Sequence, residues 1–579
     1  MSLGLNIQIT LEYSKIFTDS PDLDSLMSGI SRKLFLNVAS FFLGFSSIKS
    51  EFNNNQKFIE MFFRNENHDF ANEVFKKIKQ FEKKVGKDVL IPNHLTSLCL
   101  FEYAFKNLDE TEYQTEKESE INIFKAYLLI NEINNAKGQK AFNSTEDLSH
   151  PLKLSAIGLS MTYSYSDLVN YNPKEIMITQ IIKSIFLFEF LEKNDKAQPL
   201  LKSFLDYFNC ETWKDYLLKV LPFSFACINK KKEAHVDIKY EEQSENYKSE
   251  IDFINKLTIS DDEALVDYDF TSLRSNPIYR VNNTTYRIIY ELFIFEMLHK
   301  GLYFKLSQLN NNLKEYKIKD FRSFYCDEFS ENFLLYSTIK KMYGGKYKKL
   351  SGQQIKEFGI IAEPDYYIRN GNKIFLFESK DVLVNAEIKS SCDYKKLEEA
   401  FKEKFYYVQK DSGKIVNKAI LQLINNIRRV LKKDFDFDTH YKPDNVVIYP
   451  ILITHHHQYD VAGLNNIINF WFKDELEKLK DEGINIENIR PITLINIDDL
   501  IFHHDQFFEK KIQLENAIDD YYKYVTMNPK KKYKNEEHVR LHSERSMVPF
   551  SMFLTNYIAE KSKIKCPNML IDKGFEIFN

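Results

Sequence analysis

The sequence predicts an α/β domain built around a mixed sheet, with a large, mostly α-helical region before it and a helical tail after it. Three observations carry that expectation. Over the first 228 residues apolar side chains recur at steps of three and four, as in "FIEMFFRNENHDFANEVFKKIKQFEKKV" and "EIMITQIIKSIFLFEFLEK", the pattern of helices with one buried stripe. From about residue 275 the order becomes helix, hairpin, helix, strand, helix, strand, which pairs a hairpin with strands joined through helices. Between the two strand-like runs of the hairpin stands Asn370-Gly371, a strong signal for a two-residue turn.

A chain of 579 residues exceeds one ordinary core, and about three domains is the prior for that length. The divisions read from composition are a helical N-terminal domain at 1–228 and a charge-dense linker or exposed insertion at 229–262. An α/β domain at 263–510 and a helical tail at 511–579 follow. With 79 Lys and Arg against 83 Asp and Glu, the net charge of −4 gives no global basic field, so a site for a polyanion has to be a local patch. Six dispersed cysteines with no CxxC pair fit neither a disulfide framework nor a cysteine zinc site. The leading "MSLGLNIQITLEYSK" has no basic stretch followed by an apolar one, and the most apolar window, Leu34–Phe45, is too short to span a bilayer. A cytoplasmic protein without membrane contact is the expectation.

Within the α/β region, helical patterns cover 283–300 and 328–343, and the hairpin "EPDYYIRNGNKIFLFESKD" occupies 363–381. Helices at about 393–407 and 416–433 lead to the strand "NVVIYPILIT" (445–454). A helix at 464–480, the strand "RPITLINI" (490–497) and the tail complete the order. If Asn370-Gly371 forms the centre of the turn, Arg369 faces Asn372, Tyr367 faces Ile374 and Asp365 faces Leu376.

That hairpin raises a chemical question. An apolar run, Ile374–Phe377, ends in Glu378, Ser379 and Lys380, and charge at the end of a core strand is costly unless something binds it. Alternation puts Asp365, Leu376, Glu378 and Lys380 on one face, with Asp365 a diagonal neighbour of Glu378, roughly 7–8 Å away. Two carboxylates so close repel unless a cation lies between them, and hard oxygen donors suit Mg²⁺ or Mn²⁺. Lys380 on the same face can stabilise charge developing on a phosphorus centre, or hold a water and help deprotonate it. In outline this is a site for phosphodiester hydrolysis.

Pro364-Asp365, followed by a strand ending in Glu378-Ser379-Lys380, resembles the signature of the PD-(D/E)xK nuclease superfamily, over roughly residues 320–500. The resemblance implies a restriction-endonuclease-like core and a Mg²⁺-dependent endonuclease in which Asp365 and Glu378 hold the metal and Lys380 supports the attacking water. It also implies an acid from the preceding helix. Glu331 on "SENFLLYSTIKKMYG" fits that role as a third metal ligand, with Glu328 one turn earlier as its rival. Some members place a glutamine on the following helix. Here that is Gln422, aligned with Lys418, Asn426 and Arg429 in a polar stripe that either meets a phosphate backbone or is simply solvated. The implied partner is nucleic acid, DNA before RNA. By analogy, joining such a nuclease to a large helical region suggests prokaryotic restriction or anti-phage defence. The helical regions would then gate the nuclease, recruit a partner protein or mediate self-association. The alternative is a catalytically silent copy of the fold that binds nucleic acid or protein.

Other clusters carry less. "THHHQYD" (454–460) and "FHHD" (502–505) look like metal ligands, but successive residues at a strand end point to opposite faces, and no HExxH spacing occurs. Histidines in loops after core strands are the better reading. The lysines of "NKKK" (229–232), "KKMYGGKYKK" (340–349) and "NPKKKYK" (528–534) read as solvated runs, and no GxxxxGK[ST] phosphate loop is present.

Overall fold

Five strands between Lys348 and Asn496 form one mixed sheet in the computed structural model, which describes residues 9–47, 54–106, 113–149, 152–230, 234–260, 267–526 and 536–578. In chain order they are β1 (Lys348–Ser351), β2 (Tyr366–Asn370), β3 (Lys373–Lys380), β4 (Val447–Thr454) and β5 (Thr493–Asn496). Side by side they run β5-β4-β3-β2-β1. The first three form an antiparallel meander, and β3, β4 and β5 run parallel, so their carboxyl ends share one edge. A mixed α/β architecture was expected; the strand Lys348–Ser351 was not, because its "KKLS" carries no apolar alternation.

The hairpin register differs from the expected one. Asn370 pairs with Lys373, Arg369 with Ile374 and Tyr367 with Leu376, which places Gly371-Asn372 at the turn centre. Gly371 has φ +60° and Asn372 does not share the positive φ, the requirement of a turn with glycine at its first central position. The pairing therefore moves by two residues relative to the Asn370-Gly371 register. An even shift leaves every side chain on its expected face.

The chain divides into two compact units, and the division is not the one read from composition. The sheet belongs to a unit made of Ala141–Phe204 and Leu302–Asn579, while Asn6–Lys140 and Leu205–Gly301 form the other. In the first unit, the sheet is accompanied by helices α1 (Pro173–Lys193), α2 (Tyr336–Met342), α3 (Ala419–Lys432), α4 (Leu464–Asp481) and α5 (Ile497–Phe502). Ile374 and Leu376 of β3 bury against Ile420, Leu423 and Ile427 of α3, and Ile467 and Ile468 of α4 join the same core. The tail is helical as expected, at Leu514–Val525, Phe550–Lys561 and Asn568–Phe578, and it belongs to this unit.

The stretch 229–262 is not a linker where it is described. Asp237–Lys239 forms an edge strand on Thr285–Ile288, in a three-stranded antiparallel sheet completed by Ile278–Arg280. Arg287 grips Asp237 through both carboxylate oxygens at 2.6 and 2.9 Å, and Phe253 and Ile254 of the helix Tyr247–Asn255 are buried. A few apolar side chains and one paired arginine are enough to order a charge-dense segment. The same sheet corrects the helical reading of 283–300: "TYRI" is strand, as its β-branched and aromatic residues favour, and helix begins only at Glu291. Lys231, Lys232 and the run 528–534 lie outside the described residues.

At the carboxyl edge, Ser551 Oγ lies 2.8 Å from Asp460 Oδ1 and also within hydrogen-bond distance of Asp499 Oδ2, while Asn496 donates to Asp460 Oδ2 at 2.9 Å. One hydroxyl carries one hydrogen, so one of the two acids has to supply a proton. Burial pushes Asp460 up to about 7 and Asp499 well above the carboxylate range. A raised folded pKa gives stability that is complete below the ordinary carboxyl value of about 4 and is lost as pH rises towards 7. Asp460→Asn, which keeps both contacts, should therefore melt progressively higher than the wild type as pH is raised from 5 to 8. Melting curves that stay parallel across that range would contradict the shared proton.

Candidate active site at the carboxyl edge of the sheet

The residues singled out by the hairpin meet at the carboxyl end of β3, the edge at which open α/β sheets bind ligands. Asp365, one residue before β2, is 7% exposed, and its Oδ2 accepts from the Ser379 backbone N–H at 2.6 Å. Its own carbonyl accepts from Gly352 N–H at 2.9 Å. A Cβ at Gly352 would lie 3.1 Å from the Tyr336 hydroxyl and 3.3 Å from the Pro364 carbonyl, so glycine is what lets this backbone come close. Glu378 is completely buried, and Lys380 Nζ donates to its Oε2 at 3.3 Å. The other carboxylate oxygen, Oε1, has no hydrogen-bond partner among the described residues. A buried charged oxygen left without a donor is expensive, and such atoms call for an explanation.

Glu331 completes the cluster from a π-helix, Tyr325–Leu335, that runs directly into α2. Turns of this kind are uncommon and concentrate at functional sites. The side chain is half-buried, and burial, then the Asp365 carboxylate, lift its pKa to about 8. Glu328, the rival, is exposed. Burial and the neighbouring Asp365 push Glu378 well above the carboxylate range, and burial raises Asp365 as well. Burial works against the charge of Lys380, but Asp365, Glu378 and Glu331 outweigh it and hold the ammonium above its usual value. Three carboxylates and one ammonium amount to −2 when all are ionised, and hard oxygen donors with that deficit fit one divalent cation of the Mg²⁺ or Mn²⁺ kind. Asp365, Glu378 and Glu331 are the residues that would hold it.

The helix and the strand end are fastened by Asp381, which sequence reading passed over. Arg322 donates to its Oδ1 at 2.8 Å and Ser330, the residue before Glu331, donates to its Oδ2 at 2.7 Å. Burial alone would raise Asp381, yet Arg322 beside it holds the carboxyl well below the ordinary range. The acid immediately after Glu-x-Lys was the available signal.

The polar stripe on α3 divides. Lys418, directly before α3, is half-buried, and burial, then Lys380, lower its pKa, so it lies within electrostatic reach of the site. Arg429 does something other than await a phosphate: it donates to the carbonyls of Ala362 (3.0 Å) and Ile361 (2.6 Å), bracing the loop that leads to Asp365. Asn426 is fully buried rather than solvated, and Gln422 is half-buried with no side-chain hydrogen bond among the described residues. The three successive histidines do not share one position: His455 Nε2 meets Ser379 Oγ at 2.7 Å and His457 Nε2 meets the Asp167 carbonyl at 3.0 Å, while the His456 and His457 rings lie side by side with centroids 4.5 Å apart. His455 and His457 are buried rather than loose in a loop.

No family model, curated protein or solved structure matches this chain. Among the described residues, no helix is long and apolar enough to cross a membrane.

Proposed function

We propose that this chain is a divalent-metal-dependent nuclease that hydrolyses phosphodiester bonds in nucleic acid, DNA before RNA, on a core of the PD-(D/E)xK kind. The observation that carries the reading is Glu378: a fully buried carboxylate whose Oε1 has no partner among the described residues, on the same strand face as Lys380 and within reach of Asp365 and Glu331. A bound Mg²⁺ or Mn²⁺ supplies Lewis-acid charge at a phosphate oxygen and makes water more acidic. Asp365 is held rigid by the Ser379 and Gly352 N–H groups, so it serves as a fixed ligand. Lys380 is anchored on Glu378 and kept cationic, poised to hold the attacking water and to offset charge growing on phosphorus. Lys418 adds a second cation for a neighbouring phosphate. With a net charge of −4, affinity for nucleic acid should rest on such local lysines and fall steeply with salt.

The test is cleavage of plasmid DNA and of single-stranded RNA in Mn²⁺ or Mg²⁺, with a chelator control. The expected result is metal-dependent cutting by the wild type, absent in Asp365→Ala and in Lys380→Ala, with Lys380→Ala still binding Mn²⁺. Wild-type protein that binds nucleic acid but never cuts it would replace this reading with that of a binding module. Cutting by Lys380→Ala at the wild-type rate would remove the role given to the lysine.

A further inference from the structure

The middle residue of Glu378-Ser379-Lys380 has its own partner on the opposite side of the strand. β3 and β4 run parallel with Ser379 beside Ile453 and Lys380 beside Thr454, so the residue after β4 lies level with the strand end. That residue is His455, and its Nε2 is 2.7 Å from Ser379 Oγ, both side chains buried. The His455 carbonyl accepts from Lys183 Nζ of α1 at 3.0 Å, and the same ammonium pairs with Asp498 of α5 at 2.8 Å. On its other side, Ser379 presents its N–H to Asp365 Oδ2 at 2.6 Å. An unbroken polar chain therefore runs from a buried ion pair between two helices, through His455 and Ser379, to a carboxylate of the candidate metal site.

We propose that His455 is a positioning residue for that site: its hydrogen bond to Ser379 fixes the rotation of the strand end, which aims the Ser379 N–H at Asp365 and sets Glu378 and Lys380 on the opposite face. This rests on reading Asp365 and Glu378 as cation ligands. The physical reason for a dedicated anchor is that a strand end is where the ladder of hydrogen bonds stops, so the last peptides are free to rotate unless a side chain holds them. Burial pushes the imidazole down to about 4, which leaves it neutral and suited to a single hydrogen bond with a hydroxyl. Outer partners of this sort typically change metal affinity by about 10–100-fold when removed.

The experiment is a calorimetric Mn²⁺ titration of the full chain, with Glu378→Gln defining any binding elsewhere, in the wild type, His455→Ala, His455→Gln, Ser379→Ala and the double alanine variant. The expected result is affinity weakened about tenfold or more in each single alanine variant and no further in the double. His455→Gln, whose amide reaches the position of Nε2, should recover most of the loss. Ser379→Ala removes only an oxygen, so it carries the test if His455→Ala does not fold by circular dichroism. Unchanged Mn²⁺ affinity in Ser379→Ala, additive losses in the double variant, or a glutamine no better than alanine would each overturn the positioning role. A wild type with no Mn²⁺ binding beyond that of Glu378→Gln would overturn the metal-site reading itself, and the inference with it.

Discussion

Replacing Glu378 with glutamine is expected to lower metal-dependent cleavage by on the order of 10²–10³-fold while leaving the metal-free protein as stable as the wild type or more so. The two halves of that expectation come from the same atoms. Glu378 contributes a buried carboxylate whose Oε1 has no donor among the described residues, beside Asp365 and near Glu331. Without a cation these groups repel, and a neutral amide of the same shape relieves both the repulsion and the desolvation. Relieving a buried oxygen left without a donor is worth about 1–3 kcal/mol, and residues kept for function commonly cost stability in this way. Thermal melting with and without Mn²⁺ checks it: Mn²⁺ should raise the melting temperature of the wild type by ligand linkage and leave that of Glu378→Gln unchanged. A variant that melts lower in the absence of metal, yet still responds to Mn²⁺, would mean that Glu378 is a structural ion-pair partner of Lys380 and nothing more.

Removing the first 262 residues is expected to abolish folding of the sheet unit rather than release a free-standing nuclease. Helix α1 lies in the deleted part, and fourteen of its twenty-one residues are buried. Ten of these are apolar, from Ile176 and Met177 to Phe190 and Leu191, and each such side chain is worth about 1.5–3 kcal/mol. Half of the resulting sum still matches or exceeds the roughly 5–15 kcal/mol by which domains are stable. Phe186 packs against Phe333 and Phe190 against Phe329, both of the π-helix that carries Glu331. A charge is lost as well, since Lys183 pairs with Asp498 Oδ1 at 2.8 Å and their side chains are 2% and 10% exposed. A finer version of the test is Lys183→Met in the full chain, which strands Asp498 and should cost about 3–5 kcal/mol by chemical denaturation. A chain starting at residue 263 that unfolds cooperatively and binds Mn²⁺ would show instead that α1 is dispensable. The expectation that the first half only gates the chemistry therefore does not extend to Ala141–Phe204, which belongs to the sheet unit.

The local features were legible because each depends on near neighbours along the chain. The apolar stripe of α3 and the continuous apolar run of β4 follow from periods of 3.6 and 2, and both elements form within three residues of their expected limits. The same period placed Asp365, Glu378 and Lys380 on one face, and that survived a turn centred one residue later than expected, because the pairing moved by an even number. Glu331 could be proposed from its helix but not separated from Glu328, since the π-helix advances more residues per turn than the pattern assumes.

By itself, then, the sequence determined the long, strongly periodic elements, the faces of the hairpin and the acid-rich end of β3, but not the short strands Lys348–Ser351 and Thr285–Ile288. The tertiary structure decided which distant segments meet: α1 with the π-helix and α5, the charged strand Asp237–Lys239 with Arg287, and His455 with Ser379 across parallel strands. The reason is physical. Side-chain direction is set by backbone geometry over two to four residues, whereas a contact such as Lys183 to Asp498 spans 315 positions and exists only because burial of both flanking helices brings the charges together.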